Sequence, residues 1–189
     1  MSPGPHAVAL PQPPEPNAQA FDTTLHGKHL GLYTLRSPHL QASWCNHGAR
    51  LLQLWVPDQN GLWRDVVLGF DDVHDMLLGM PSMGAFVGRY ANRIAHSVFP
   101  HLGRPWTLPA NDGPHCLHGG PGGSRHQVFD VVAESAQSLT LAWTFESKVD
   151  GFPGDVDLQL SIELDGPRLI MSHVALVRGD ATPLSFTAH

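Results

Sequence analysis

Val156, Leu158, Leu160, Ile162 and Leu164 alternate without a break with Asp157, Gln159, Ser161 and Glu163. A period of two puts one set of side chains on a buried face and the other in solvent, which only a strand does. Leu139, Leu141, Trp143 and Phe145 repeat the pattern against Thr140, Ala142 and Thr144. Asp165-Gly166-Pro167 is a turn signal between the strand ending at Leu164 and the apolar run Leu169–Val177. Further strands are expected around Leu30–Leu35, Leu40–Trp44, Arg50–Val56, Arg64–Leu68 and Gln127–Val132, and only Asp72–Leu78 offers a short helix. Many short strands punctuated by Gly, Pro and Asn predict an all-β chain built as an antiparallel sandwich.

A chain of 189 residues can bury a respectable core, and the expectation is one domain. Six prolines fall in residues 1–20, which are expected to form a disordered Pro-rich arm, with the globular part at residues 21–189. The formal net charge of -6 and the lack of any Lys/Arg cluster argue against a nucleic-acid partner. No apolar run approaches the roughly 18 residues of a membrane span. Two cysteines, Cys45 and Cys116, make no disulfide framework, and the first twenty residues show no secretory signal. A reducing, cytoplasmic setting is therefore expected.

Two segments rich in small residues carry the chemistry: Gly88-Arg89-Tyr90-Ala91-Asn92-Arg93-Ile94 and Leu117-His118-Gly119-Gly120. Glycine lets backbone and ligand approach closely. A fixed cation beside a group that can donate or accept a proton suits an uncharged, oxygen-rich substrate. Other groupings are weaker. His115, Cys116, His118 and His126 match no structural zinc spacing, and no metal is expected. Gly119 to Ser124 lacks the Gly-Lys-Ser/Thr of a phosphate loop. Asp150, Asp155 and Asp157 do not have EF-hand spacing. Trp44, Trp55, Trp63, Trp106 and Trp143 read mostly as core or strand-pairing residues.

In series, Gly84 to Ala95, Asn111-Asp112-Gly113, Leu117 to Gly120, Asp150-Gly151-Phe152-Pro153-Gly154 and Thr182 to His189 resemble the aldose 1-epimerases, or galactose mutarotases. A weaker match from Gly48 to Phe70 extends the likeness from about Leu30 to the last residue. The resemblance implies a large antiparallel β-sandwich of the mutarotase (supersandwich) type, and an isomerase that interconverts the α and β anomers of free hexoses such as galactose and glucose. No cofactor is implied, because ring opening and reclosure need only proton transfer and bond rotation. The resemblance makes His189 the catalytic acid on the ring oxygen and His118 a second catalytic or substrate contact. Arg93 and Asn92 become substrate-binding residues. Histidine suits proton transfer near neutral pH, and arginine is a permanently charged planar donor. One departure is Ser185, where the family commonly has asparagine.

The family's general base is a glutamate near its C-terminus, preceded by a substrate-binding aspartate, and the resemblance places neither before His189. The chain is thus expected to correspond to the N-terminal portion of such a domain, truncated at its C-terminal side. The expected partner is a small-molecule sugar, and the sequence assigns no oligomeric state. Two alternatives to an active enzyme stay open: a non-catalytic carbohydrate-binding or regulatory protein on the same fold, and an inactive truncated gene product. Taken alone, the chain is expected to fold poorly and not to catalyse mutarotation.

Overall fold

The computed structural model describes residues 12–79 and 82–189. Most of the expected proline-rich arm, residues 1–11, lies outside the described residues. Residues 12–20 run against the body: Glu15 pairs with Arg36, Gln41 donates to the Pro14 carbonyl, and Ala18–Phe21 forms a 3-10 turn that buries Phe21.

Two small strands, β1 (Thr23–Leu25) and β2 (Lys28–Leu30), form a hairpin. The first large sheet follows in strict sequence order, with β3 (Leu32–Arg36), β4 (Gln41–Cys45), β5 (Arg50–Pro57) and β6 (Trp63–Asp65) all antiparallel. Helix α1 (Val73–Leu78) begins where Asp72 accepts the Asp75 amide at 2.8 Å, satisfying a donor that the first turn leaves open. Two-residue strands β7 (Phe86–Val87) and β8 (Arg93–Ile94) come next, then the hairpin of β9 (Val98–His101) and β10 (Arg104–Thr107), and β11 (Cys116–Leu117). The second large sheet is again sequential: β12 (Asp130–Glu134), β13 (Ser138–Phe145), β14 (Asp155–Asp165) and β15 (Arg168–Arg178), with the short helix α2 (Ser147–Asp150) between β13 and β14. Strand β16 (Thr187–Ala188) returns to pair with β7.

The period of two in β14 has the packing consequence expected of it. Val156, Leu158, Leu160, Ile162 and Leu164 are all buried, while Gln159 and Glu163 face water. They meet Leu139, Leu141 and Phe145 of β13 and Leu35, Ala42 and Trp44 of the first sheet in one core, so the two four-stranded sheets stack as a sandwich. Gly166 has φ +58°, which lets a two-residue loop join β14 to β15, and the Asp165–Arg168 ion pair spans that loop. No helix among the described residues is long and apolar enough to cross a membrane.

β15 differs from a core strand. Among the described residues it ends the sheet order, paired only with β14. Leu169, Met171 and Ala175 face the core, but the other face carries Val174 at 70% exposure and Leu176 at 62%. The apolar run has both faces apolar because an edge strand can leave one of them uncovered, and such edges favour association between chains. Replacing Val174 and Leu176 together by lysine should lower self-association with little loss of fold. Static light scattering against far-UV circular dichroism measures this; unchanged scattering would show that β15 is not the sticky surface.

Candidate functional site

Four very short strands build the site. β8 pairs with β11, setting Arg93 opposite Leu117, and β7 pairs with β16, setting Phe86 opposite Ala188. The residue after β11 is His118 and the residue after β16 is His189. Because β7 and β8 are joined by only five residues, their two partners are drawn together. The His118 and His189 rings meet edge to face, with centroids 5.3 Å apart and planes at 83°.

Each residue is anchored through backbone. The His189 amide donates to the Ala85 carbonyl and its own carbonyl accepts from Gly84, both at 2.9 Å. The His118 amide donates to the Asn92 carbonyl at 3.0 Å, and the Asn92 amide donates back to His118 Nδ1 at 3.1 Å. Asn92 holds a left-handed φ of +65°, and its Oδ1 accepts the Arg93 amide at 2.9 Å, the local bond that makes such a conformation tolerable for asparagine. Arg93 Nε donates to Asp112 Oδ2 at 2.6 Å, on a half-exposed rim. That bond occupies one of the five guanidinium donors. Two glycines make the loop possible. A Cβ on Gly119 would collide with the Gly88 carbonyl oxygen, and one on Gly123 with that of His118.

The structure thus brings Asn92, His118 and His189 into direct contact, with Arg93 next in the chain. Sequence reasoning did not single out their support, Arg89. Its side chain is fully buried, and it makes a bidentate pair with Asp150, Nε to Oδ2 at 2.7 Å and Nη2 to Oδ1 at 3.0 Å. Its Nη1 donates to the carbonyls of Gly154 at 2.8 Å and Pro153 at 3.2 Å and reaches Thr182 Oγ1 at 3.4 Å. The Ser185 amide donates to the Arg89 carbonyl, and the Ala91 amide to the Ser185 carbonyl. Burial pushes the Asp150 carboxyl up, and the facing guanidinium works against that push. Both halves of the pair lie inside motifs quoted from the sequence, but no spacing rule joins residues 61 positions apart.

The electrostatics set the state of His118. Burial, then the positive charges of Arg125, His189 and Arg93, push its pKa down to about 4. Its Nδ1 accepts the Asn92 amide, so the neutral ring carries its proton on Nε2. At neutral pH His118 is therefore a fixed hydrogen-bond donor. The Cys116 thiol is pushed up to about 11 by burial, which rules it out as a ready nucleophile. The residues of the zinc-like grouping have separate partners: His115 Nδ1 accepts the His96 amide and His126 Nε2 accepts Arg125 Nε, each at 3.0 Å. Among the described residues, the one group of three side chains close enough to share an ion is the surface cluster Asp72, His74 and Asp75, far from these residues in sequence.

The aldose 1-epimerase family profile matches residues 31–189. Galactose mutarotase of Bos taurus is 35% identical over 162 residues, covering 83% of this chain and 45% of that protein. A probable aldose 1-epimerase of Arthroderma benhamiae is 38% identical over 133 residues, covering 67% and 30%. Among solved structures, the GalM/aldose epimerase homologue from C. elegans superimposes with a TM-score of 0.80 at 33% identity, covering 85% of this chain and 50% of that one. Galactose 1-epimerase from Lactobacillus acidophilus, at 24% identity and a TM-score of 0.65, shares the fold. The chain spans about half the length of the curated relatives it matches, or less.

Two outcomes are expected. Asp150→Ala leaves the Arg89 charge buried without its partner and should cost about 3–5 kcal/mol, whereas Glu146→Gln on the surface should change stability by less than about 0.5 kcal/mol. Urea unfolding measures both, and equal effects would show that the buried pair is not what holds the segment. The second concerns pH. His118 and the buried His47 both have pKa values pushed down to about 4, against about 6.5 in an unfolded chain. A depressed histidine contributes stability that is present above pH about 6.5 and lost as pH falls through about 4. For His47 the loss is up to about 3 kcal/mol. Unfolding midpoints at pH about 7 and about 4.5 test this; a midpoint that does not fall on acidification would mean that these rings are charged in the fold.

Proposed function

Because the chain belongs to the aldose 1-epimerase family, we propose that it carries the sugar-holding and acid side of a site that interconverts the anomers of a free hexose such as galactose or glucose. The observation that carries this reading is the His118–His189 pair, edge to face at 5.3 Å and flanked by Asn92 and Arg93.

Anomer exchange needs a proton placed on the ring oxygen and one removed from the C1 hydroxyl. The C1–ring oxygen bond then breaks, the open chain turns about C1–C2, and the ring recloses on the other face. In this reading His189 delivers the proton to the ring oxygen. His118, neutral with its proton on Nε2, donates a hydrogen bond to a sugar oxygen and fixes the ring against His189. Arg93 supplies charged donors to hydroxyls at the rim, and Asn92 holds both neighbours in register. These steps are proton transfers and a bond rotation, which the side chains can support without a cofactor.

A second reading has its own support. Asp112 is the carboxylate seen in contact with these four residues, and it is already paired with Arg93. Asp150 is buried against Arg89. Neither is placed to take the C1 hydroxyl proton, which favours sugar binding without turnover in this chain by itself. By family resemblance the base is a glutamate in sequence that the match to this chain does not include.

Galactose titration and polarimetry separate the readings. Arg93→Ala and His118→Ala should each weaken galactose binding by about tenfold or more, the loss of one polar anchor. The parent chain should leave the rotation change of dissolved α-D-glucose at the buffer rate. Variants that bind galactose like the parent would remove these residues from the site. A parent that speeds the rotation well above buffer would overturn the binding-only reading and assign the base to a carboxylate already present.

A further inference from the structure

The 3-10 turn Ser124–His126, which follows the glycine loop of His118, also forms one wall of a different cavity of about 220 Å3. Every ionisable side chain lining that cavity is basic: His26, His47, Arg50, Arg125 and His126. The remaining lining is apolar, from the end of β1 and from α1. Four separate stretches supply the five residues: the turn between β1 and β2, the turn between β4 and β5, the start of β5, and the 3-10 turn.

Two of these cations are deeply buried, Arg50 at 1% exposure and Arg125 at 6%. Arg125 is positioned by neutral groups, Nη1 to Ser82 Oγ at 2.7 Å and Nε to His126 Nε2 at 3.0 Å, and it has no carboxylate partner among the described residues. Burying the Arg125 guanidinium on neutral partners, with no acid in the cavity, is costly unless something anionic joins it. His126 is set as a donor. His126 Nε2 accepts from Arg125, which leaves Nδ1 to carry the proton of the neutral ring. His47 is 94% buried, and its Nδ1 has no hydrogen-bond partner. The other ring nitrogen faces the His126 backbone carbonyl, so Nδ1 is the bare nitrogen of the neutral ring and becomes a donor only when an anion draws a proton onto it. The mutual repulsion appears as lowered pKa values: His47 falls to about 4 through burial and then Arg50 and His126, and His126 falls through burial and then Arg125 and Arg50.

We propose that this cavity is a binding site for a small free anion of the phosphate class, gripped by Arg125 together with His26, His47 and His126 under the field of Arg50. A guanidinium and three imidazoles arriving from different stretches of chain suit a tetrahedral oxyanion better than a planar carboxylate. A phosphate monoester loses its second proton near pH 6 and free phosphate closer to neutrality, both within the range where imidazoles take up protons, so binding the dianion and protonating the rings reinforce each other. The site is separate from the sugar cleft but is coupled to it. Arg125, His189 and Arg93 are the charges that depress His118. An anion on Arg125 removes part of that field and moves His118 back toward its ordinary value.

The test is a calorimetric titration of the 189-residue chain with inorganic phosphate at pH about 6.5, with ionic strength held constant by chloride, and with histidine proton resonances followed by NMR. Saturable one-to-one binding is expected, weakened by about tenfold or more in Arg125→Gln and several-fold in His26→Ala. The His47 and His126 resonances should move with phosphate, and the His118 titration midpoint should rise. No saturable binding above the chloride control, unchanged affinity in both variants, or acetate binding as tightly as phosphate would each overturn the proposal. If circular dichroism shows Arg125→Gln unfolded, His26→Ala decides alone, since His26 is exposed on a turn.

Discussion

The Arg89 guanidinium reaches three separate stretches of chain at once. It closes a two-point pair with Asp150 at the end of α2, caps the carbonyls of Pro153 and Gly154, and touches Thr182 on the segment that leads to His189. A cation with no exposed surface is tolerable only when its donors are satisfied, so the geometry of these stretches is not independently adjustable. The consequence is carried along the backbone. With Arg89 fixed, its carbonyl takes the Ser185 amide, Ser185 takes the Ala91 amide, and the next residue, Asn92, is delivered to His118. One buried ion pair therefore sets the distance between two histidines, though it touches neither.

Burial and charge then decide the state of His118. A half-buried imidazole facing Arg125, Arg93 and another imidazole cannot hold a proton at neutral pH, and the Asn92 amide fixes which nitrogen is bare. The result is a rigid donor beside a second histidine reached through a different strand pair. The same excess of positive charge continues into the basic cavity behind residues 124–126, where Arg125 belongs to both environments. Anion occupancy in one place and proton affinity in the other are linked by that shared guanidinium.

The large sheets were legible because their signal is local. The alternation in Val156–Leu164 names its own buried face, and Asp72 announces the start of α1. Three kinds of feature were not legible. The hairpin of β9 and β10 sets Pro100 opposite Pro105, and a proline in each strand hides a ladder from any pattern that counts donors. The strands β7, β8, β11 and β16 are two residues long, too short to show a period, yet they position the site. Long-range charge is the third. The Arg89–Asp150 pair and the basic cavity join residues scattered from His26 to Asp150, and nothing in their spacing forecasts the meeting. Motif resemblance named Asn92, Arg93, His118 and His189 as candidates, because each sits in a block whose residues can be matched one by one.

The pairing of His118 with His189 is made by residues 84–93, 116–124 and 182–189, with Asp150, Pro153 and Gly154 as outside support. All of them lie in this chain, so in the proposed reading the sugar-facing donors and the acid form one mechanical unit. A base for the C1 hydroxyl need not belong to that unit. Asp112 cannot supply it without giving up Arg93, and Asp150 cannot without unpairing Arg89. In the proposed reading binding and turnover are thus physically separable: the first rests on a buried ion pair and four short strands, the second on a carboxylate that these contacts neither supply nor obstruct.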